Sequence, residues 1–206
     1  MKVKYITIER EYGSGGTKIA RTLSNVCGIP CYGREILEEV AKKYDVSVDE
    51  IQKYEENTTG SFLYSIYALS RLQSGSEEPL TIEGRIFVAE QEAIRKLSTN
   101  GKAIFLGHCA SEMLENQSRV VRIFIRCSDL EEKKERIVRD YGIPETEAER
   151  TRKRFDKKRS NYYASNTGRK WYDSSNYDIL LDSAKLGIDG CVNLLKGLIM
   201  GEEKYS

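Results

Sequence analysis

One histidine, His108, is all that the 206 residues contain, and that scarcity removes a good deal of chemistry. No Ser-His-Asp arrangement is supported by a single imidazole without visible partners. Cysteine is also sparse: Cys27, Cys31, Cys109, Cys127 and Cys191 make an odd number with no C-x-x-C spacing. Neither a disulfide framework nor a zinc site follows, and reduced thiols in a cytoplasmic protein are the expectation. No apolar run approaches the roughly 20 residues of a membrane span. The first residues go straight into strand-like sequence, so no signal peptide and no membrane partner are expected. Net charge is nearly missing as well, at +1, which argues against general attraction to nucleic acid. Nothing in the pattern speaks to oligomeric state.

The most informative absence is one lysine. Ile6-Thr7-Ile8-Glu9-Arg10-Glu11-Tyr12-Gly13-Ser14-Gly15-Gly16-Thr17-Lys18-Ile19-Ala20 reads as a β-branched strand, a glycine-rich turn and the start of an amphipathic helix. Such turns let backbone N–H groups converge on an anion at the positive end of a helix dipole. A full phosphate loop is G-x-x-x-x-G-K-[ST]. With Thr17 as the hydroxyl, Gly15 fits the second glycine, Arg10 stands where the first belongs, and Gly16 replaces the lysine. Two readings stand side by side: a nucleotide triphosphate site with Gly13, Ser14, Gly15 and Gly16 around a phosphate and Thr17 toward Mg²⁺, or a turn that binds no nucleotide. Lys18 is the nearest base but sits one step into the helix, which makes Arg10, at the mouth of the loop, the better substitute.

Along the chain, strands are expected at Lys2 to Ile8, Ile29 to Tyr32, Lys102 to Leu106, Val120 to Arg126 and Tyr177 to Leu181. Helices are expected at Thr17 to Cys27, Arg34 to Tyr44, after a Ser47/Glu50 capping box, along Phe62, Leu63, Ile66, Leu69 and Leu72, and at Ile86 to Leu97. Others follow a Ser128/Glu131 cap up to Gly142, span Glu145 to Tyr163, and run from Gly187 to Ile199. Gln73 to Pro79 reads as the mobile loop. Strands alternating with helices indicate a parallel sheet, with ligands at the carboxyl ends of its strands. The glycine turn and Gly107-His108 both fall there. The chain reads as a single domain, 1–206.

Arg150, Arg152, Lys153, Arg154, Lys157, Lys158 and Arg159 face only Asp156 within one ten-residue stretch. That is too one-sided for a helix face balanced by i,i+4 pairs. The spacing puts Arg152, Asp156 and Arg159 on one side, with Arg159 stacking toward Tyr162 and Tyr163. Seven cations call for an anionic partner. A phosphate-binding lid is the first reading, and contact with nucleic acid or a plain solvated face are the others. The carboxylate pairs Glu38-Glu39, Glu55-Glu56 and Glu131-Glu132 have bases three or four residues away and read as exposed faces. Phe62, Tyr64 and Tyr67 read as packing, and Cys109 as a buried small residue.

Arg10-Glu11-Tyr12-Gly13-Ser14-Gly15-Gly16, Gly28-Ile29-Pro30 and Tyr32 together resemble the opening of the cytidylate kinase-like proteins, a branch of the P-loop nucleoside monophosphate kinases. Asp156-Lys157-Lys158-Arg159, Tyr162-Tyr163, Thr167-Gly168, Trp171, Tyr177-Asp178 and Leu186-Gly187-Ile188 extend the likeness over nearly the whole chain. The resemblance implies an α/β fold of the P-loop NTPase type: a five-stranded parallel sheet flanked by helices, a helical acceptor-binding insertion at about 33–99 and a lid at about 145–172. It implies transfer of the ATP γ-phosphoryl to a nucleoside monophosphate, CMP or dCMP, with Mg²⁺ held through Thr17, water and phosphates. On this likeness Arg34 reaches the acceptor phosphate, and Arg154 and Arg159 brace the transferring group. His108, Asp156, Lys157 and Tyr162 complete the expected acceptor contacts. Relatives typically carry Asp at Gly33 and an arginine at His108, so a nucleotide-binding sensor with the fold but little turnover, or a kinase for another small phosphate acceptor, remain alternatives.

Overall fold

The computed structural model describes residues 3–49, 51, 82–117 and 119–200. Among these residues, β1 (Tyr5–Arg10), β2 (Cys31–Tyr32), β3 (Ala103–Leu106), β4 (Val120–Arg126) and β5 (Ile179–Asp182) form one sheet in the order β2-β3-β1-β4-β5. Every neighbouring pair is parallel. Helices α1 (Gly16–Cys27), α2 (Arg34–Tyr44), α3 (Ile82–Ser98) and α4 (Ala110–Met113) come from the first part of the described chain. They are followed by α5 (Leu130–Tyr141), α6 (Glu145–Thr167) and α7 (Ser183–Met200).

Strand alternation decides what each face covers. Ile6 and Ile8 of β1 join Ile104, Leu106, Ile123 and Ile125 in a core completed by Ile19 and Leu23 of α1 and Cys191, Val192 and Leu195 of α7. Tyr5 and Phe105 point the other way, against Ile36 of α2, Ile94 of α3 and Ala110 of α4. Burial on both faces is the reason β3 reads as a continuous apolar run. A third cluster ties the end of α6 to the sheet, through Phe124, Tyr163, Trp171 and Tyr177. No helix among the described residues is long and apolar enough to cross a membrane.

Several boundaries differ from the sequence expectation. β1 runs to Arg10, because its pairing with β4 continues to Arg10 opposite Ile125. Arg10 is therefore a strand residue of the same parity as Ile6 and Ile8, and its side chain leaves toward α1. The N-cap of α5 is Asp129, not Ser128: its carboxylate accepts from the amides of Glu131 and Glu132. Ser128 N–H donates instead to Asp182 at 3.0 Å. α6 extends to Thr167, and α7 begins at Ser183 with a break at Gly187 (φ 67°). The Ser47/Glu50 capping box, the Phe62 to Leu72 helix and its aromatic residues, and the Gln73 to Pro79 loop lie outside the described residues.

Candidate active site

The loop from Glu11 to Gly15 is held from behind. Ser183 Oγ donates to Ser14 O at 2.7 Å, and Arg136 Nη1 reaches Ser183 Oγ at 3.0 Å and Gly13 O at 3.5 Å. These bonds turn two loop carbonyls outward, toward α5 and α7. The Ser14 hydroxyl donates to Glu11 O at 2.8 Å and accepts from Gly16 N at 3.3 Å. The amides of Gly13, Gly15, Thr17 and Lys18 find no acceptor among the described residues, and α1 has no side-chain cap. Four donors at an uncapped helix start make an anion cradle. Gly13 is required there: its φ is +78°, and a Cβ would lie 2.8 Å from Lys133 O.

Two buried cations beneath the loop escape the sequence reading. Lys133 Nζ lies 2.7 Å from Glu11 Oε2, which also accepts from Cys127 N at 3.0 Å. Arg136 pairs with Glu132 on α5 besides its loop contacts. Glu132 is therefore not merely part of an exposed face. Their local spacing looks like a solvated helix, and apart from Glu132 their partners, Glu11, Gly13 and Ser183, come from far along the chain.

α6 clamps the loop. Asp156 Oδ1 accepts from Tyr12 N at 2.7 Å, and Arg152 Nη1 lies 3.2 Å from Asp156 Oδ2. The Tyr12 ring stacks on Phe155 at 4.5 Å and on Tyr141 at 4.7 Å. Arg159 Cζ sits 5.5 Å from the Tyr12 ring centre, and its Nη1 donates to Arg10 O at 2.9 Å. Arg159 thus lies over Tyr12, where the spacing pointed it toward Tyr162 and Tyr163. The helix is also less one-sided than its composition: Arg152 and Lys153 pair with Glu149. Hydrogen bonds from Arg152 first, then from Lys153, hold the Glu149 carboxyl down at about 2.

A cavity of about 700 Å³ opens beside the loop, lined by Arg10, Thr17, Arg34, His108, Arg159 and Tyr162 among others. Lys158 of the basic run also lines it, with Arg21 and Glu9, to which the sequence reading gave no role. Asp156 is engaged with Tyr12 and Arg152 and lies outside this lining. Lys18, Arg154 and Lys157 are exposed and outside it too, with Arg154 against Phe155. Burial, and next the charge of Arg159, lower the Arg10 guanidinium to about 10. Arg34 lies 3.8 Å from Glu38, half in solvent. Opposite, His108 Nδ1 is 3.5 Å from Oε1 of the fully buried Glu90. Glu90 also accepts from the Tyr162 hydroxyl. Gly107, His108 and Cys109 are all left-handed, with φ of 80°, 58° and 49°. Such backbone in non-glycine residues concentrates at functional sites.

The cytidylate kinase-like family matches residues 5–185. An uncharacterized protein from Eubacterium ventriosum shares 25% identity at a TM-score of 0.70, covering 98% of this chain and 100% of that one. Shikimate kinase from Bacteroides thetaiotaomicron (10% identity, TM-score 0.52, 95% of this chain and 98% of that one) shares the fold. So does shikimate kinase from Acinetobacter baumannii in complex with shikimate (12%, 0.50, 98% and 95%). No curated protein matches the chain.

Proposed function

Since the chain belongs to the cytidylate kinase-like family, a kinase-like family with a P-loop kinase fold, we propose that it transfers the γ-phosphoryl of ATP to a nucleoside monophosphate, with CMP and dCMP the first candidates. One observation carries this reading. Thr17, Arg10 and Arg159 surround a single cavity beside a glycine loop with four amides open to an anion. Phosphoryl transfer asks a protein chiefly for positioning and for charge neutralisation, and these groups supply both. Gly13 to Lys18 would hold the ATP phosphates, Arg10 and Arg159 the transferring group, and Arg34, His108 and Tyr162 the acceptor. Arg154, Asp156 and Lys157 are left with supporting parts at most. Residues about 33–99 would form the acceptor-binding insertion and about 145–172 the lid, within one domain. Five free thiols fit a cytoplasmic setting.

Mg²⁺ fits this donor set in a limited way. No cluster of three or more His, Cys, Asp or Glu side chains suited to a metal occurs among the described residues. Thr17 supplies one hard oxygen, which suits an ion that keeps its waters and binds through phosphates. The ion would add charge neutralisation along the phosphate chain.

The test is ADP release with CMP, dCMP, UMP, AMP and no acceptor, beside calorimetric ATP titration. Acceptor-stimulated release is expected, largest for CMP or dCMP. Tight ATP binding with no stimulation by any of them would leave a nucleotide-binding sensor instead. A second reading, a kinase for another small acceptor, draws on His108 and Glu90. An imidazole braced by a buried carboxylate is how a hydroxyl acceptor is activated, so cytidine and deoxycytidine belong in the same panel. On the first reading, His108→Ala should raise the acceptor KM by about tenfold with the ATP KM unchanged, as expected for one lost charge-assisted or polar contact. On the second it should lower kcat by about 10²–10⁴-fold, the usual loss with an activating base. An acceptor KM and a kcat both unchanged remove His108 from the acceptor side.

A further inference from the structure

The missing loop lysine and the position of Arg10 have one geometric explanation. Strand parity sends Arg10 toward α1, and its stem passes directly over Gly16. A Cβ at Gly16 would lie 2.6 Å from Arg10 Cβ and 2.9 Å from its Cγ. Further out, a Cβ at Gly107 would lie 2.7 Å from Arg10 Nη1. The arginine is threaded between two glycines, from the start of α1 to the end of β3. A side chain of any size at position 16 is excluded while Arg10 is there.

The far end of that side chain lines the cavity, and its Nε is buried without a hydrogen-bond partner. A guanidinium desolvated in this way is costly unless an anion meets it. Its planar fork presents five N–H donors in a fixed geometry, where a loop lysine presents three on a flexible stem.

We infer that residues 10 and 16 are an exchangeable pair: the phosphate-binding cation enters this loop from β1 instead of from α1, and Arg10 bridges the ATP phosphates and the acceptor. The first half stands on the geometry of the loop, and the bridging half rests on the phosphotransferase reading above. Arg10→Gly with Gly16→Lys rewrites the loop as G-x-x-x-x-G-K-T, so the exchange can be made in the protein itself.

The probe for the first half is inorganic tripolyphosphate, titrated by calorimetry, which needs no turnover. Arg10→Ala should weaken it at least about tenfold, the loss expected of one charge-assisted contact. Gly16→Lys alone should bind it no better than Arg10→Ala, because the two side chains collide. The double exchange should return to within about threefold of the parent. In the unaltered protein the Arg10 Nε–H resonance should shift on adding tripolyphosphate, a readout independent of whether any variant folds. Gly16→Lys binding as tightly as the parent, or an unmoved Arg10 resonance, would overturn the exchange. For the second half, the double exchange should recover the ATP KM yet leave the acceptor KM raised about tenfold. Recovery of both constants would overturn the bridge. If no acceptor stimulates ADP release while tripolyphosphate binding still follows Arg10, the kinase reading fails and the exchange stands.

Discussion

Arg159→Ala should lower kcat by about 10²–10³-fold while leaving the fold near its original stability, because one preorganised charged donor is worth that much in a dry site. Arg159 lines the cavity from α6 and donates to the Arg10 carbonyl at 2.9 Å. It is thus fixed before any anion arrives, and after burial its charge is what lowers the Arg10 guanidinium. Two like charges held together are strained until a polyanion separates them, which is the condition that favours binding of a phosphate chain. Steady-state kinetics beside a thermal melt distinguish this from simple damage. A kcat within threefold of the parent, with the acceptor identified, removes Arg159 from the chemistry. Arg159→Lys should recover charge but not the fork, and so only part of the rate.

Asp156→Ala should destabilise the protein by about 2–4 kcal/mol, the range for breaking a buried charged partner. Asp156 is 5% exposed, and its carboxylate serves both the Tyr12 amide and Arg152. Burial, the largest influence on it, pushes the carboxyl up even though the Tyr12 amide favours the charged form. Without it the Tyr12 N–H is orphaned and the clamp on the loop loses its central bond. Asp156→Asn keeps an acceptor for Tyr12 and should cost less. Denaturant melts of both variants read the difference. A loss below about 0.5 kcal/mol for the alanine variant, the level of an ordinary surface substitution, shows that the stacked rings alone hold the loop to α6.

The five strands and the glycine loop were legible because both rest on local pattern: apolar strands alternating with helices, a turn that needs glycine, and a helix after it. Arg10, Thr17, Arg34, His108, Arg159 and Tyr162 do meet at one cavity. The misses have a common physical cause. Lys133 and Arg136 look like the polar side of α5, and only the fold brings Glu11, Gly13 and Ser183 to them. Glu90 is an ordinary helix residue in the sequence and a fully buried carboxylate in the structure. Asp156 was counted with the cavity on the family resemblance, and its i, i+4, i+7 spacing with Arg152 and Arg159 gives a face and not a destination. Even Arg10 depended on where β1 stops, since two further residues of strand decide which side of the sheet it leaves from.

The stacking of Tyr12 carries a mechanical consequence. α6 is fastened at mid-length to the loop by Phe155, Asp156 and Arg159, and near its end to the sheet by Tyr163 in the Trp171 cluster. A rod pinned at two points cannot pivot about either one. For α6 to swing away, the Tyr12 amide has to give up its carboxylate, and the glycine turn that cradles the anion has to move with it. Opening this wall of the cavity and loosening the grip on its contents would then be one event.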